Sequence, residues 1–350
     1  MSRIFVSGIG AVSPAGWGVA ALREALESGE PLPTQPFTRP GWERPLRARL
    51  VPAPRERPAF LLHPRLRRTS PITHYAAAAA LEAVAGFRQR NGVQGPLGLV
   101  VCLQSGCVQF SHRFFDEVTS DAATASPLLF PETVFAAPTS HVAALLPATP
   151  LVYTLMGDAA GFLQGLALGA QWLEEGQVAA CLIVAAEETD WLLADAVWHL
   201  EHAAVVSAGA GAVCLSTSPE SPLGVELRLI TDAFTYTASR NRVQAAQAMR
   251  QQLPAGSSME LLCTGQGNSP RADAPEAAAW SDWTGPRLSP KRILGEGLMA
   301  APAWQCVAAC DAVARRQYEA AIVSVVGPSQ MAIAARFAQN GPAIMPGDHR

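Results

Sequence analysis

A chain of 350 residues, 49% hydrophobic and only 16% charged, is long enough for one large or two medium domains around a sizeable core. Its formal net charge of −3 gives nucleic-acid binding no electrostatic support, and the basic cluster Arg65, Arg67, Arg68 reads as a solvated loop or a small anion-docking patch. The seven cysteines form no CxxC pair and no Cys/His set with ligand spacing, which argues against a zinc site and for reduced, buried thiols in a cytoplasmic protein. The start, MSRIFVSGIGAVSPAG, lacks the basic opening and long apolar core of a secretory signal, and no run of about 18 uncharged apolar residues suggests a membrane span.

Along the chain, RIFVS (3–7) predicts a strand buried on both faces, followed by a glycine-rich turn and a helix within 16–29. Residues 31–68 carry nine prolines and many arginines and read as an ordered but irregular excursion. SPITHYAAAAALEAVAGFRQR (70–90) predicts a helix that Ser70 caps and Pro71 opens. GLVVCLQ (98–104) is a strand, SHRFFDEV starts a short helix, and SPLLFPETVFAAPTSHVAALL (126–146) is a loop leading into a helix. Strand LVYTLM (151–156), helix GFLQGLALGAQWLEEG (161–176), strand VAACLIVAAEE (178–188) and a β run at 209–217 complete the first part.

The pattern then restarts near Gly224, with a strand at 225–233, helix ASRNRVQAAQAMRQQL, a strand at 259–265, a helix at 302–317 and a strand at 320–327. Strands alternating with helices predict parallel sheets covered on both faces, in two halves of similar plan, 1–223 and 224–350.

One junction stands out. In TLMGDAAGFLQG (154–165) a strand breaks at Gly157 and a helix begins, the geometry in which many α/β enzymes hold a nucleophile. Here the turn carries Asp158, and no Cys, Ser, Thr or Lys occurs from Leu155 to Leu163. An exposed carboxylate there would have a lowered pKa from the helix dipole, or Asp158 would simply cap the helix.

Taken together, RIFVSGIGAVSPAGWG, SPLLFPETVFAAPTSHVAALL, GDAAGFLQGLALGAQWLEEGQVAACLIVAAEE, ITDAFTYTA and KRILGEGLMAAPAWQ resemble, in order and approximate spacing, the β-ketoacyl synthases. The resemblance implies an α/β, thiolase-like fold, two similar halves forming a layered αβαβα architecture, with no cofactor and no metal. It also implies a cysteine nucleophile and two histidines. At the nucleophile place stands Asp158, or Ala159 if the match is counted back from Gly176. The first histidine place holds Thr264, or Cys263 in a shifted loop, and the second, five residues after Lys291, holds Glu296. No histidine lies between 203 and 348, so no shift of register restores the pair. A glutamate expected to pair with Lys291 appears as Gln305, a GEG-type turn becomes SAG with Ala208 in place of the acid, and the terminal gating loop becomes SVVGPSQ (324–330).

This pattern resembles the chain-length factors, which lack the nucleophile and pair with an active β-ketoacyl synthase as a heterodimer, meeting the acyl carrier protein only indirectly. Where the usual chain-length factor has an amide this chain has Asp158, its second half is shorter than in typical synthases, and SPLLFPETVF leans toward the polyene gene systems. The resemblance places Phe130, Thr133, Val134 and Phe135 beside the partner's acyl path. Two other readings stay open. One is acyl-transfer, decarboxylase or hydrolase chemistry through Asp158 or Cys107, with Glu296 and Lys291 assisting; the other is a self-associating scaffold or carrier-protein docking module.

Overall fold

The computed structural model describes residues 3–91, 95–146 and 151–341. In chain order the first half runs β1 (Ile4–Ser13), β2 (Gly16–Trp17), α1 (Val19–Ser28), β3 (Gln35–Phe37), β4 (Leu46–Arg49), α2 (Pro71–Asn91), β5 (Leu97–Leu103), α3 (Val108–Asp121), α4 (Ala136–Leu145), β6 (Leu151–Met156), α5 (Gly161–Glu174), β7 (Ala180–Glu187), α6 (Trp191–Leu200), β8 (Val206–Ser207) and β9 (Gly209–Ser216). The second runs β10 (Val225–Ile230), β11 (Phe234–Thr235), α7 (Arg242–Gln251), β12 (Glu260–Cys263), α8 (Pro270–Ala279), β13 (Arg287–Leu288), α9 (Pro290–Leu294), α10 (Ala300–Ala314), β14 (Ala320–Val326) and β15 (Met331–Gln339).

Strand order repeats between the halves. Outward from the centre, the first reads β1-β9-β7-β5-β6 and the second β10-β15-β14-β12-β13. In each, the outer three strands are parallel, while β9 and β15 run against them. The two series join where β1 meets β10 antiparallel over three residue pairs. The sheet is therefore mixed, not wholly parallel as the alternation predicted. The cause is visible at β14 and β15: the short turn 327–330 joins them, and so tight a link reaches only an antiparallel neighbour.

Helices fill the layers. α10 touches β9 and β1 of one half and β14, β15 and β12 of the other, and it packs against α5. Thirteen of its fifteen residues are buried. α2 and α4 cover the outer face of the first half, and α7 and α8 that of the second. The result is αβαβα.

The excursion at 31–68 contributes β3 and β4, which form a small sheet with β8. Among the described residues no helix is long and apolar enough to cross a membrane.

The first strand is longer than predicted. SGIGAVS is not a turn; it continues β1 through Gly8 and Gly10, fully buried. The glycines serve close approach rather than bending, because α2 lies against them. A Cβ at Gly8 would fall 1.8 Å from the Ala83 carbonyl oxygen, and one at Gly10 2.1 Å from that of Ala79. Backbone atoms cannot yield as a flexible side chain would, so Gly8→Ala is expected to lower unfolding free energy by about 3 kcal/mol or more. Gly224→Ala, at a φ of 62° with open space around it, should cost only about 1 kcal/mol. Urea unfolding of the two variants checks the contrast; equal losses would show that strand–helix contact is not what requires glycine at position 8.

Candidate functional site

The strand-to-helix junction forms as the sequence suggests, but its acid does not. α5 starts at Gly161 with Ala160 at its N-cap position, and no side chain caps it there. Asp158 is only 2% exposed. Its Oδ1 accepts from the Ala160 N–H at 3.1 Å, and its Oδ2 accepts from the N–H groups of Gln330 at 2.9 Å and Ser329 at 3.4 Å. The 327–330 turn thus lies directly on the carboxylate, and a Cβ at Gly327 would sit 2.2 Å from Oδ2. Burial raises the Asp158 pKa, opposed by the three backbone donors and by Arg242. The exposed, dipole-lowered carboxylate expected from sequence is corrected: a turn about 170 residues downstream covers the acid.

Beside this junction lies a cavity of about 260 Å³, lined among others by Ala159, Arg242, Glu276, Lys291, Glu296 and Gln305. Lys291 Nζ meets Glu296 Oε2 at 2.8 Å, and Glu296 Oε1 accepts from the Leu298 N–H at 3.0 Å. Asp158 and Thr264 are not part of the lining. Thr264 is buried, its N–H donating to the Leu288 carbonyl at 2.9 Å and its own carbonyl accepting from Ser289 Oγ at 3.4 Å. The structure therefore joins Lys291 to Glu296 but leaves Asp158 outside their cavity, and the four positions do not assemble into one acid–base set. Gln305 donates from Nε2 to the carbonyls of Ser324 at 3.1 Å and Cys263 at 3.3 Å.

The thiols offer no nucleophile either. Cys107 is buried, and desolvation, reinforced by Glu188, holds its thiol well above the ordinary range. Cys263 is fully buried and pushed up to about 12 by desolvation. Among the described residues no group of three or more His, Cys, Asp or Glu side chains could hold a metal.

Three buried glutamates escaped sequence reasoning. Glu188 accepts from Ser70 Oγ, from the Ile72 N–H at 2.9 Å and from the Gln109 N–H at 2.8 Å, so it ties down the first turns of both α2 and α3. The predicted Ser70 cap is corrected: Ser70 donates its hydroxyl to the acid that binds the helix amide. Glu187 accepts from the N–H groups of Gln104 at 2.6 Å and Ser105 at 3.0 Å, and from Ser105 Oγ. Glu276 accepts from Ser324 Oγ at 2.5 Å and the Gly265 N–H at 3.3 Å. All three are pushed up to about 7, first by desolvation. The only sequence signal was two acids closing an apolar strand, AAEE.

The residues expected beside an acyl path sit at one edge of the sheet. Phe130 and Val134 are exposed, Thr133 is partly buried with its hydroxyl on the Phe130 carbonyl at 2.8 Å, and the Phe135 ring packs over Gly106, where a Cβ would lie 2.9 Å away. Gly106 itself has a φ of 69°. Thr139 of α4 bonds Thr154 of β6 at 2.8 Å. β6 ends the sheet order, and its Tyr153 and Met156 are 51% and 57% exposed. Among the described residues no strand pairs with the outer edge of β6, and such an edge with large apolar side chains invites a covering partner.

No family profile matches the sequence, and no curated protein does. Solved structures match over nearly the whole chain. The ishigamide ketosynthase/chain length factor aligns at a TM-score of 0.77 and 16% identity, covering 97% of this chain and 100% of that one. A β-ketoacyl synthase from Burkholderia phymatum STM815 aligns at 0.78 and 16%, with the same coverage. The ketosynthase ApeO in complex with its chain length factor ApeC from Xenorhabdus doucetiae aligns at 0.77 and 14%, covering 97% and 98%. The fold is that of the ketosynthases, the thiolase-like αβαβα arrangement.

The buried glutamates fix the sign of a pH dependence. The folded-state pKa of Glu276, about 7, stands above its ordinary 4.5, so the stability it contributes is complete below pH 4.5 and is lost as pH rises through 7. Replacing it by glutamine should flatten the fall in unfolding free energy between pH 4.5 and 8 by up to about 3 kcal/mol. Denaturant unfolding at several pH values measures this, and an unchanged slope in Glu276→Gln would contradict it.

Proposed function

We propose that this chain is a non-elongating, ketosynthase-fold subunit, a chain-length factor, which pairs with an active β-ketoacyl synthase and shapes the space for its growing acyl chain. The observation that carries this reading is the state of the junction at Asp158. Both oxygens of that carboxylate are occupied by backbone N–H groups, the turn 327–330 lies on top of it, and no histidine is available anywhere in 203–348. A condensing enzyme needs an accessible thiolate and two imidazoles at this place. The fold persists without them.

The partner is suggested by the edge of β6. Val152, Tyr153 and Met156 of β6 are exposed, β6 packs against α4 of the 126–146 segment, and Phe130 and Val134 of that segment are also exposed. An edge strand beside an apolar surface suits a second subunit of related fold, as in the ApeO and ApeC complex. A heterodimer of this kind meets the acyl carrier protein through the active subunit. All seven cysteines are free, in keeping with the reducing cytoplasm where such carrier-borne chains are built.

Altered acyl-transfer, decarboxylase or hydrolase chemistry is the weaker reading. Asp158 does not line the cavity and its oxygens are taken by backbone N–H groups, and Cys107 is a desolvated thiol. Lys291 and Glu296 neutralise one another at 2.8 Å.

Co-expression with a synthase that retains Cys-His-His should yield a stable 1:1 complex. A homodimer alone, or turnover of acyl or malonyl carrier thioesters that disappears in Asp158→Ala, would overturn the assignment. Within the complex, Phe135→Ala should lengthen the products and Phe135→Trp should shorten them, because the void beside Gly106 changes with ring volume. Product lengths indifferent to both substitutions would remove Phe135 from the acyl path.

A further inference from the structure

The segment 326–330 is held at almost every polar backbone atom. Arg242 Nη2 donates to the Val326 carbonyl at 2.9 Å, and the Gly327 N–H donates to the Met331 carbonyl at 2.9 Å. Tyr236 grips the strap twice: its hydroxyl donates to the Gly327 carbonyl, and its N–H donates to the Gln330 carbonyl at 2.8 Å. Asp158 takes the two remaining amides, those of Ser329 and Gln330. Of these anchors only Asp158 is a buried carboxylate, and only it comes from the first half of the chain.

The strap has two faces. Inward, Val326 and Pro328 line the 260 Å³ cavity. Outward, Pro328, Ser329 and Gln330 are exposed, and Gln330 Oε1 lies 3.7 Å from where a Cβ of Gly157 would be. Gly157 immediately follows Met156, the exposed end of β6. The strap thus continues the bare edge of the sheet.

We infer that Asp158 is a positioning residue that fixes the 326–330 strap as part of the surface met by the partner synthase. The occupant is that synthase and the inference rests on the chain-length-factor reading; continuity of the strap with the exposed β6 edge is what assigns it. The nucleophile position is thereby put to a new use, cross-linking the two halves of the chain at their shared rim. Gly327 belongs to the same device, since any side chain there would displace the carboxylate.

The test separates latch from contact. In the isolated protein, Asp158→Ala and Gly327→Ala should each speed amide hydrogen exchange at Ser329 and Gln330 by about tenfold or more, the loss of one charge-assisted bond being worth about that factor, while β1 and α5 keep wild-type protection. In the complex, both variants should weaken binding of the synthase by about tenfold. Gln330→Ala leaves the latch intact, so it should weaken the complex without altering exchange. Unchanged exchange in Asp158→Ala overturns the latch. Faster exchange with unchanged affinity overturns the partner contact and leaves the chain-length-factor reading standing. Absence of any complex with the wild-type chain overturns that reading and the contact together, while the exchange data still decide the latch.

Discussion

Everything in this molecule is organised around one buried helix, α10, which must satisfy two half-sheets at once. It can do so only because the contact is nearly free of side-chain bulk. A Cβ on Gly211 would approach Ala303 Cβ to 2.7 Å, and one on Gly209 would approach Trp304 Cζ2 to 2.7 Å. The side-chain N–H groups that α10 buries are used: Trp304 Nε1 donates to the carbonyls of Val12 and Ala210, each at 3.0 Å, and Gln305 Nε2 donates to those of Ser324 and Cys263. α5 follows the same rule on the first half, where Gly165 and Gly169 would clash with Cys102 and Ile183 if they carried side chains. Such a packed centre is stiff, and the junction at Asp158, the Lys291–Glu296 pair and the 327–330 turn all hang from it.

Much of this was legible in the sequence because it is local. Strand LVVCL, the alanine-rich α2, the glycine-spaced α5 and the apolar AAIVSVV each carry their own periodicity, and the structure places them within a residue or two of expectation. The absence of histidine from 203–348 and of cysteine around Asp158 was legible too, since it is a matter of composition. What the sequence hid is tertiary. Gly8 and Gly10 look like a turn until α2 is laid on them. α8 holds Pro275 within its span and gave no helical signal, and β15 lies beyond the last predicted strand. Lys291 and Glu296, five residues apart, could be paired in advance. The burial of Asp158 could not, because the turn that covers it comes from the other half of the chain.

The buried acids show how strongly shifted carboxylates can serve the scaffold rather than a reaction. Asp158, Glu187 and Glu188 each accept from two or three backbone N–H groups at a junction between elements, and Glu276 accepts from one and from the Ser324 hydroxyl. A general acid or base must present a lone pair or a proton to a substrate. These carboxylates present theirs to main-chain N–H groups and, for the three glutamates, to serine hydroxyls as well. Desolvation raises their pKa values as it does in many active sites, so perturbed titration alone would have marked all four as functional. The direction in which the oxygens point separates the two uses, and here they point at the scaffold.

The same consideration accounts for an acid, rather than an amide, at position 158. A side-chain amide offers one acceptor oxygen and one donor nitrogen. Oδ1 here faces the Ala160 N–H, and Oδ2 faces two more N–H groups on the opposite side. An asparagine would set its NH₂ against donors on one side or the other, losing bonds and leaving buried N–H groups unpaired. A chain whose turn is GPSQ, with a glycine pressed against the carboxylate and two amides aimed at it, requires two acceptors on a short stem. Aspartate is the shortest side chain that supplies them.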